Sequence, residues 1–292
     1  MAIHDYDSPL LDWLSRNQGE FQFKFSSTPI APWFPELKVV SIGAFYRGQE
    51  LTGHSCGSSL TQSRLIALTE CLERTVCVDL KVSSNGFAAH PLKERALEAS
   101  WQELVERDAF LWHWHYDIAP QALPVPTFLP DGPPDEHLGV YQLQGLDRSV
   151  HVVLAVITTT NGGIVMGLAG KKNLEEAVLK AAHEAAIIRS YITTESALSE
   201  NEFNQLSSHT PLAHARLGLD PDYARSFQQW LVGRQQKRPL LAIESTAELI
   251  AWPRDLETPP LFLARSRHAD LIQLYFGDPP KNFPNPRPHP LG

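Results

Sequence analysis

The sequence carries the pattern Glu-x-x-Glu-Arg twice, as Glu70-Cys71-Leu72-Glu73-Arg74 and as Glu103-Leu104-Val105-Glu106-Arg107, 33 residues apart. Residues i and i+3 are neighbours on a helix face, so each copy presents two carboxylates side by side. Like charges at that separation repel and call for a compensating cation. The Arg that follows each pair compensates locally. Mg²⁺ does so better, because it takes carboxylate oxygens, keeps several waters and completes its octahedron with substrate phosphates. If the two helices pack side by side, four carboxylates can hold more than one Mg²⁺ around a nucleotide. The plainer reading is a pair of solvated amphipathic faces with ordinary Glu–Arg pairs. Spacing alone leaves both open.

Other chemistry-bearing residues point to less. Cys56, Cys71 and Cys77 form neither a Cys-x-x-Cys pair nor a disulfide framework, and read as small buried residues. His113-Trp114-His115 places its two imidazoles on different sides of a helix. His183-Glu184 lacks the second His of a zincin motif, so zinc hydrolysis is a poor reading. No Gly-x-x-x-x-Gly-Lys-Ser/Thr loop occurs.

The elements that must position the acids follow from periodicity. Leu65, Leu68, Leu72 and Val76 recur at helical spacing and predict a helix over about 61–80. Ser83-Ser84-Asn85-Gly86 breaks it, since Asn and Gly tolerate the positive φ of a tight turn. A second helix, about 92–114, starts after Pro91 and buries Leu97, Trp101, Leu104 and Leu111; a third covers about 174–191 and a fourth about 223–234. A short opening helix over Leu10–Leu14 follows Asp7-Ser8-Pro9. Strands at 39–46 and 50–54 flank Arg47-Gly48-Gln49 as a hairpin, and 151–160 with 164–168 form another around Asn161-Gly162-Gly163. Two further strands are expected at 261–264 and 271–275, a proline-rich loop at 120–134, and an exposed connection at 196–210. From Asp278 the chain ends in alternating prolines, which predicts an extended strip without internal hydrogen bonds. The order predicts an α/β fold, mainly antiparallel sheets with packed long helices, in a single domain over 1–292.

Composition excludes several classes. A 292-residue chain with 43% hydrophobic residues can bury a sizeable core. Its formal net charge of −8 argues against nucleic acid as partner. No stretch approaches the ~18 apolar residues of a membrane span, and the first twenty residues do not read as a signal peptide. A soluble, cytoplasmic protein is expected.

Three segments together carry a family resemblance. Ser84-Asn-Gly-Phe-Ala-Ala-His90, with Ala96-Leu-Glu-Ala99 and Glu103-Leu-Val-Glu-Arg-Asp108, is similar to the signature of the YcaO family. Ala67-Leu-Thr-Glu-Cys-Leu-Glu-Arg74 resembles its first nucleotide-binding motif. Gly167-Leu-Ala-Gly170, Leu174 to Glu184 and Arg189 resemble its third, and the proline tail over 278–292 matches its peptide-modifying members. Continuous similarity, the nucleotide- and Mg²⁺-binding core, covers about 53–191.

The resemblance implies a YcaO-like fold that binds ATP and Mg²⁺ without a Walker loop. Peptide-modifying members phosphorylate a backbone amide oxygen. In cyclodehydratases a Cys, Ser or Thr side chain first attacks the preceding carbonyl, and the product is a thiazoline or oxazoline, the precursor of thiazoles and oxazoles. Other members make thioamides or amidines, and a degenerate member would scaffold a complex without ATP turnover. Carried over, Glu70, Glu73, Glu103 and Glu106 would be Mg²⁺ ligands, with Glu70 and Glu103 also contacting ATP. Arg74, Arg107 and Arg189 would contact phosphate, or Arg74 and Arg107 would serve as structural partners of the acids. Ser84, Asn85, Gly86 and Glu184 would line the nucleotide site. Pro288, Pro290 and Gly292 would bring the tail to the active site, where its carboxylate or fixed backbone positions substrate.

Three positions depart from the family pattern. Ile66 stands where a Ser is usual, Cys56 where a Lys is usual, and Ile187 where a Gln is usual. Each removes polar atoms from the implied nucleotide site, so the metal end is expected to be kept and the nucleotide end altered. Against the family pattern the chain reads as short, and it is expected to act without the extra N-terminal recognition domain of fused cyclodehydratases. The resemblance therefore implies a ribosomally made precursor peptide presented by a separate ubiquitin-activating-enzyme-like protein, with a flavin dehydrogenase as a further partner. Homo-oligomerisation stays open.

Overall fold

Phe21 stacks on Phe23 at 4.9 Å and on Tyr46 at 5.2 Å, with Trp13 tilted against both phenylalanines. These rings anchor one of two units into which the chain divides. The computed structural model describes residues 7–30, 33–192, 211–239, 243–253 and 256–291.

The first unit comprises Met1–Ile30, Pro35–Leu104 and Ser245–His268. Helix α1 (Asp7–Phe21) runs well past the expected Leu10–Leu14. Leu10, Trp13, Asn17 and Phe21 are all buried and recur every three or four residues, so one stripe sustains the whole helix. Strand β1 (Lys24–Ile30), absent from the sequence reading, pairs with β2 (Phe34–Tyr46), which pairs with β3 (Gln49–Gly57). The β2–β3 register closes at Tyr46↔Gln49, leaving a two-residue turn in which Arg47 and Gly48 both have positive φ. That geometry matches the right-handed twist of the flanking strands.

Helix α2 (Leu60–Leu80) is capped by the Ser59 hydroxyl, which accepts from the Gln62 N–H, and stops at Lys81 in the left-handed conformation. Its buried stripe is Ser63, Ala67, Leu68, Cys71, Leu72, Thr75 and Val76; Leu65, expected inside, is half-buried. Strand β4 (Phe87–His90) forms a small antiparallel sheet with β10 (Phe262–Arg265) and β9 (Glu248–Ile250), in the order β4-β10-β9. Helix α3 (Lys93–His115) begins in this unit.

The second unit comprises Ala31–Phe34, Val105–Glu244 and Ala269–Gly292. Its sheet is a meander of β5 (Gln121–Leu123), β6 (His137–Leu143), β7 (His151–Thr158) and β8 (Ile164–Lys171). β5 corrects the expectation that 120–134 is loop throughout: an edge strand tolerates Pro120 and Pro124 at its ends. Helix α4 (Leu174–Tyr191), capped by Asn173, packs on β8 and β7. Helices α5 (Pro211–Leu217) and α6 (Pro221–Leu231) follow. α6 starts earlier than expected because Asp220 caps it and Pro221 fits its first turn. The expected strand at 271–275 does not form. Its Ile272 N–H goes to Asp108, and its Tyr275 hydroxyl to the Arg287 carbonyl. The connection expected at 196–210 lies outside the described residues.

A shared device sets the strand–helix distance in each unit. A Cβ on Gly53 in β3 would come within 2.0 Å of the Ala67 carbonyl oxygen and 2.7 Å of the Cys71 nitrogen in α2. A Cβ on Gly167 in β8 would come within 2.1 Å of the Ala181 carbonyl oxygen and 2.3 Å of the Ala185 nitrogen in α4. The offsets along the chain are the same in both, and each places a Glu, Glu70 or Glu184, on the following helix. Gly53→Ala and Gly167→Ala should each destabilise their unit by about 1–3 kcal/mol or more, since backbone rather than a side chain must move. Denaturant unfolding of the two variants checks this.

Candidate functional site

In the first unit, α2 turns Glu70, Glu73 and Arg74 to one side of its buried stripe. Glu70 Oε1 accepts from Arg74 Nη2 at 2.8 Å, Oε2 accepts from the His54 N–H of β3, and Arg74 Nη1 donates to Thr52 Oγ1 at 3.0 Å. The Gly53 contact brings that strand amide within reach of the carboxylate. Glu73 Oε1 accepts from the Ala89 N–H of β4.

The Ser84-Asn85-Gly86 turn aims β4 at Glu73. The Phe87 N–H donates to the Ser84 carbonyl at 3.0 Å, and the Asn85 N–H to Ser83 Oγ at 3.2 Å. Gly86 has φ +75°, and a Cβ there would meet the Ser266 carbonyl oxygen at 2.7 Å. Ser84 is exposed, while Asn85 and Gly86 are buried.

Glu73 keeps some accessible surface, but the protein around it pushes its carboxyl well above the carboxylate range. Burial is the main cause, and the charges of Glu103 and Glu70 add to it. The Ala89 amide and Arg74 oppose the shift. Glu70 and Glu103 therefore both lie near enough to repel Glu73, and Arg74 is the cation that opposes their effect on it.

In the second unit the pattern recurs. Glu106, 4% exposed, accepts from the Gly170 N–H of β8 at 2.7 Å and lies 3.5 Å from Arg107 Nη1. Its carboxyl is also raised, first by burial and then by Glu184, against the opposing pull of Arg107, Lys180 and the Gly170 amide. Glu184 pairs with Lys180 at 3.4 Å. Lys171, at the end of β8, is pushed down by burial and by Lys180, while Glu106, Glu184 and Glu176 pull it up. Glu103 and Glu106 sit one turn apart on α3.

The remaining expected residues are placed as follows. Arg189 is bound by Glu136 Oε1 through Nε at 2.9 Å and Nη2 at 2.6 Å. The Pro288 carbonyl accepts from Trp114 Nε1 at 3.1 Å and from the Tyr223 hydroxyl at 2.9 Å, and Pro290 is buried. His289 lies near enough to Arg107 to feel its charge; burial and His214 chiefly hold its imidazole well below the ordinary range. Gly292 lies outside the described residues. Ile66 is 49% exposed, and Cys56 and Ile187 are half-buried.

His113 and His115 do not chelate together. Both nitrogens of His113 serve backbone groups, of Ile118 and Gln144, and burial brings its pKa down to about 4. The Cys71 and Cys77 thiols are pushed up to about 12 by burial, which leaves them unreactive.

The donor set suits a hard cation. Its acids offer oxygen alone, and their crowding is relieved by positive charge. Among the described residues, no three His, Cys, Asp or Glu side chains converge to hold a metal by themselves. Mg²⁺ does not need such a cage, since one or two carboxylates, waters and phosphates complete its shell.

Sequence reasoning missed Glu136, Trp33, Lys171 and Lys180. It also missed the repeated Gly-x13-Ala-x2-Glu spacing of 53–70 and 167–184, which was there to be read.

A family model described as YcaO cyclodehydratase, ATP- and Mg²⁺-binding, matches residues 78–260. Among solved structures, YcaO from Methanopyrus kandleri bound with AMPPCP and Mg²⁺ aligns with a TM-score of 0.60 at 16% identity, covering 89% of this chain and 90% of that one. A heterocyclase in complex with substrate and cofactor aligns with a TM-score of 0.60 at 13% identity, covering 91% of this chain and 52% of that one. The E. coli microcin synthetase McbBCD complex gives 0.55 at 10% identity, with 83% and 86% covered. At these identities the structural likeness establishes the fold. A search of curated proteins found no match.

The raised Glu73 has a consequence for stability. Its folded pKa lies above its unfolded one, so no penalty exists below the ordinary carboxylate range. The penalty grows as pH rises from that range through the folded value. Glu73→Gln should therefore raise the thermal midpoint of the metal-free protein at neutral pH and flatten its fall with pH. The same variant should weaken Mg²⁺ binding by at least the ~10–100-fold typical of losing a metal-site partner. Thermal melts against pH, with and without Mg²⁺, check both.

Proposed function

The chain belongs to the YcaO family, and on that footing we propose that it activates a backbone amide of a ribosomally made peptide, closing Cys, Ser or Thr side chains into azolines. It is an ATP-dependent enzyme, with ATP and Mg²⁺ as its cofactors. The observation that carries the proposal is a pair of acids, Glu73 and Glu106, each buried beside further acids and each fixed by a strand amide. Surface ion pairing does not require that arrangement, and a scaffold has no use for its cost.

In this reading Glu70, Glu73, Glu103 and Glu106 hold Mg²⁺, with Glu184 beside Glu106. Arg107 and Arg189 bear on the phosphates, where fixed positive charge stabilises the transferring phosphoryl group. Arg74 is spent on Glu70 and Thr52, which favours its role as a structural partner. ATP supplies the phosphoryl group that makes the amide oxygen a leaving group. The carbonyls of Arg287, Pro288 and His289 are hydrogen-bonded to Tyr275, to Trp114 and Tyr223, and to His214, and in this reading the tail positions the peptide.

The peptide would be presented by a separate ubiquitin-activating-enzyme-like protein, with a flavin dehydrogenase acting on the product. The microcin synthetase, a complex of several proteins, supports this kind of assembly. Among the described residues no helix is long and apolar enough to cross a membrane.

One observation favours a second reading, a subunit that scaffolds without turnover. Ile66 presents an apolar side chain to solvent one turn before Glu70, where the family carries a Ser.

The test is incubation of a candidate precursor peptide with the protein, its partner, ATP and Mg²⁺. Azoline formation removes one water per ring, visible by mass spectrometry. Glu70→Gln and Glu106→Gln should stay folded and lose turnover by on the order of 100-fold or more. Nucleotide binding without any turnover would favour the scaffold.

A further inference from the structure

Arg189 is held by a device that phosphate binding alone does not call for. Both oxygens of Glu136 are committed. Oε1 takes Arg189 Nε at 2.9 Å and Nη2 at 2.6 Å, and Oε2 takes Trp33 Nε1 at 2.6 Å. The Glu136 side chain is 3% exposed, and Trp33 is fully buried. Two N–H groups on one guanidinium edge converge on Oε1, and Trp33 anchors the same carboxylate through Oε2, so the guanidinium is held against displacement more firmly than by a single contact.

The surrounding loop is shaped for this hold. Gly132 has φ +69° and lies against the Trp33 ring, where a Cβ would come within 2.4 Å. The Glu136 N–H donates to the Pro133 carbonyl at 3.1 Å, which closes the loop just before the carboxylate. The neighbour of Trp33, Phe34, meets the edge of His183 at 4.6 Å, and His183 precedes Glu184 on α4. Trp33 and Phe34 thus bear on α4 twice, directly at His183 and through Glu136 at Arg189.

A buried ion pair is a poor device for stability, because packed apolar residues of the same volume serve as well. It is a good device for orientation. We propose that Glu136, with Trp33, is a positioning residue that fixes the Arg189 guanidinium for contact with the nucleotide's phosphates. This rests on the reading of Arg189 as a phosphate contact. Charge and orientation make opposite claims here. If Arg189 acted by charge alone, removing the anionic Glu136 would tighten ATP binding. If its orientation matters, the same change weakens it.

The experiment measures Mg²⁺-dependent ATP affinity by calorimetry on the intact protein. The variants are Glu136→Gln, Arg189→Gln, the double variant and Trp33→Phe, which removes the indole N–H together with part of the ring. The expected losses are about tenfold for Glu136→Gln and at least that for Arg189→Gln, on the scale by which small misplacements cost function. The double variant should be no weaker than Arg189→Gln alone, because the two act through one contact. Trp33→Phe should lose about two- to threefold, the smaller cost of freeing one carboxylate oxygen; if Glu136→Gln fails to fold, this variant decides. Unchanged or tighter binding in Glu136→Gln, or losses that add in the double variant, would overturn the positioning role while Arg189→Gln still weakens binding. Unchanged binding in Arg189→Gln would overturn the phosphate-contact reading itself, and the inference with it.

Discussion

A carboxylate removed from water and set beside other carboxylates is costly, and this chain does it at Glu73 and again at Glu106. Each acid is steadied by a backbone amide at a fixed strand position, Ala89 of β4 for Glu73 and Gly170 of β8 for Glu106. Those amides and the nearby arginines reduce the repulsion without removing it, since both carboxyls remain raised. In the proposed reading these acids are electrostatically incomplete alone, and a hard cation with phosphate oxygens is the chemistry that would complete them. Elements that look unrelated serve this end. The Asn85-Gly86 turn directs β4, and the close approach at Gly53 brings the His54 amide to Glu70.

The same logic accounts for the apolar framework. α2 and α4 each lie on a strand at a separation that only glycine allows, at Gly53 and at Gly167, with small buried residues Ala67, Cys71, Ala181 and Ala185 beneath. Close packing leaves the helices little freedom to slide, which suits acids that must meet particular amides.

Much of this was legible in the sequence. The helices carrying the acids were placed within a residue or two, because long apolar stripes are strong local signals. The β7–β8 hairpin was legible from the apolar runs on either side of Asn161-Gly162-Gly163. β1 was not: Lys24, Phe25, Ser26 and Ser27 in succession are exposed, so no buried-exposed alternation marks them. The run at 271–275 misled in the opposite way, since its Ile272 amide goes to Asp108 and Tyr275 bonds to His115 of α3 and Arg287 of the tail rather than to a strand. Within the site, the paired acids could be read from spacing. Glu136 could not, because its partners lie 103 residues before it and 53 after it, and no local pattern sets it apart from Asp131 and Asp135 beside it.

The account's central claim is that the buried acids are incomplete until Mg²⁺ and nucleotide arrive. Acids crowded in this way should bind nucleotide only when a cation accompanies it. The direct measurement is calorimetric titration of ATP into the protein with and without Mg²⁺. The account predicts binding that requires Mg²⁺ and that weakens in Glu73→Gln and Glu106→Gln. Nucleotide binding that needs no Mg²⁺, or that is unchanged in both variants, would contradict it.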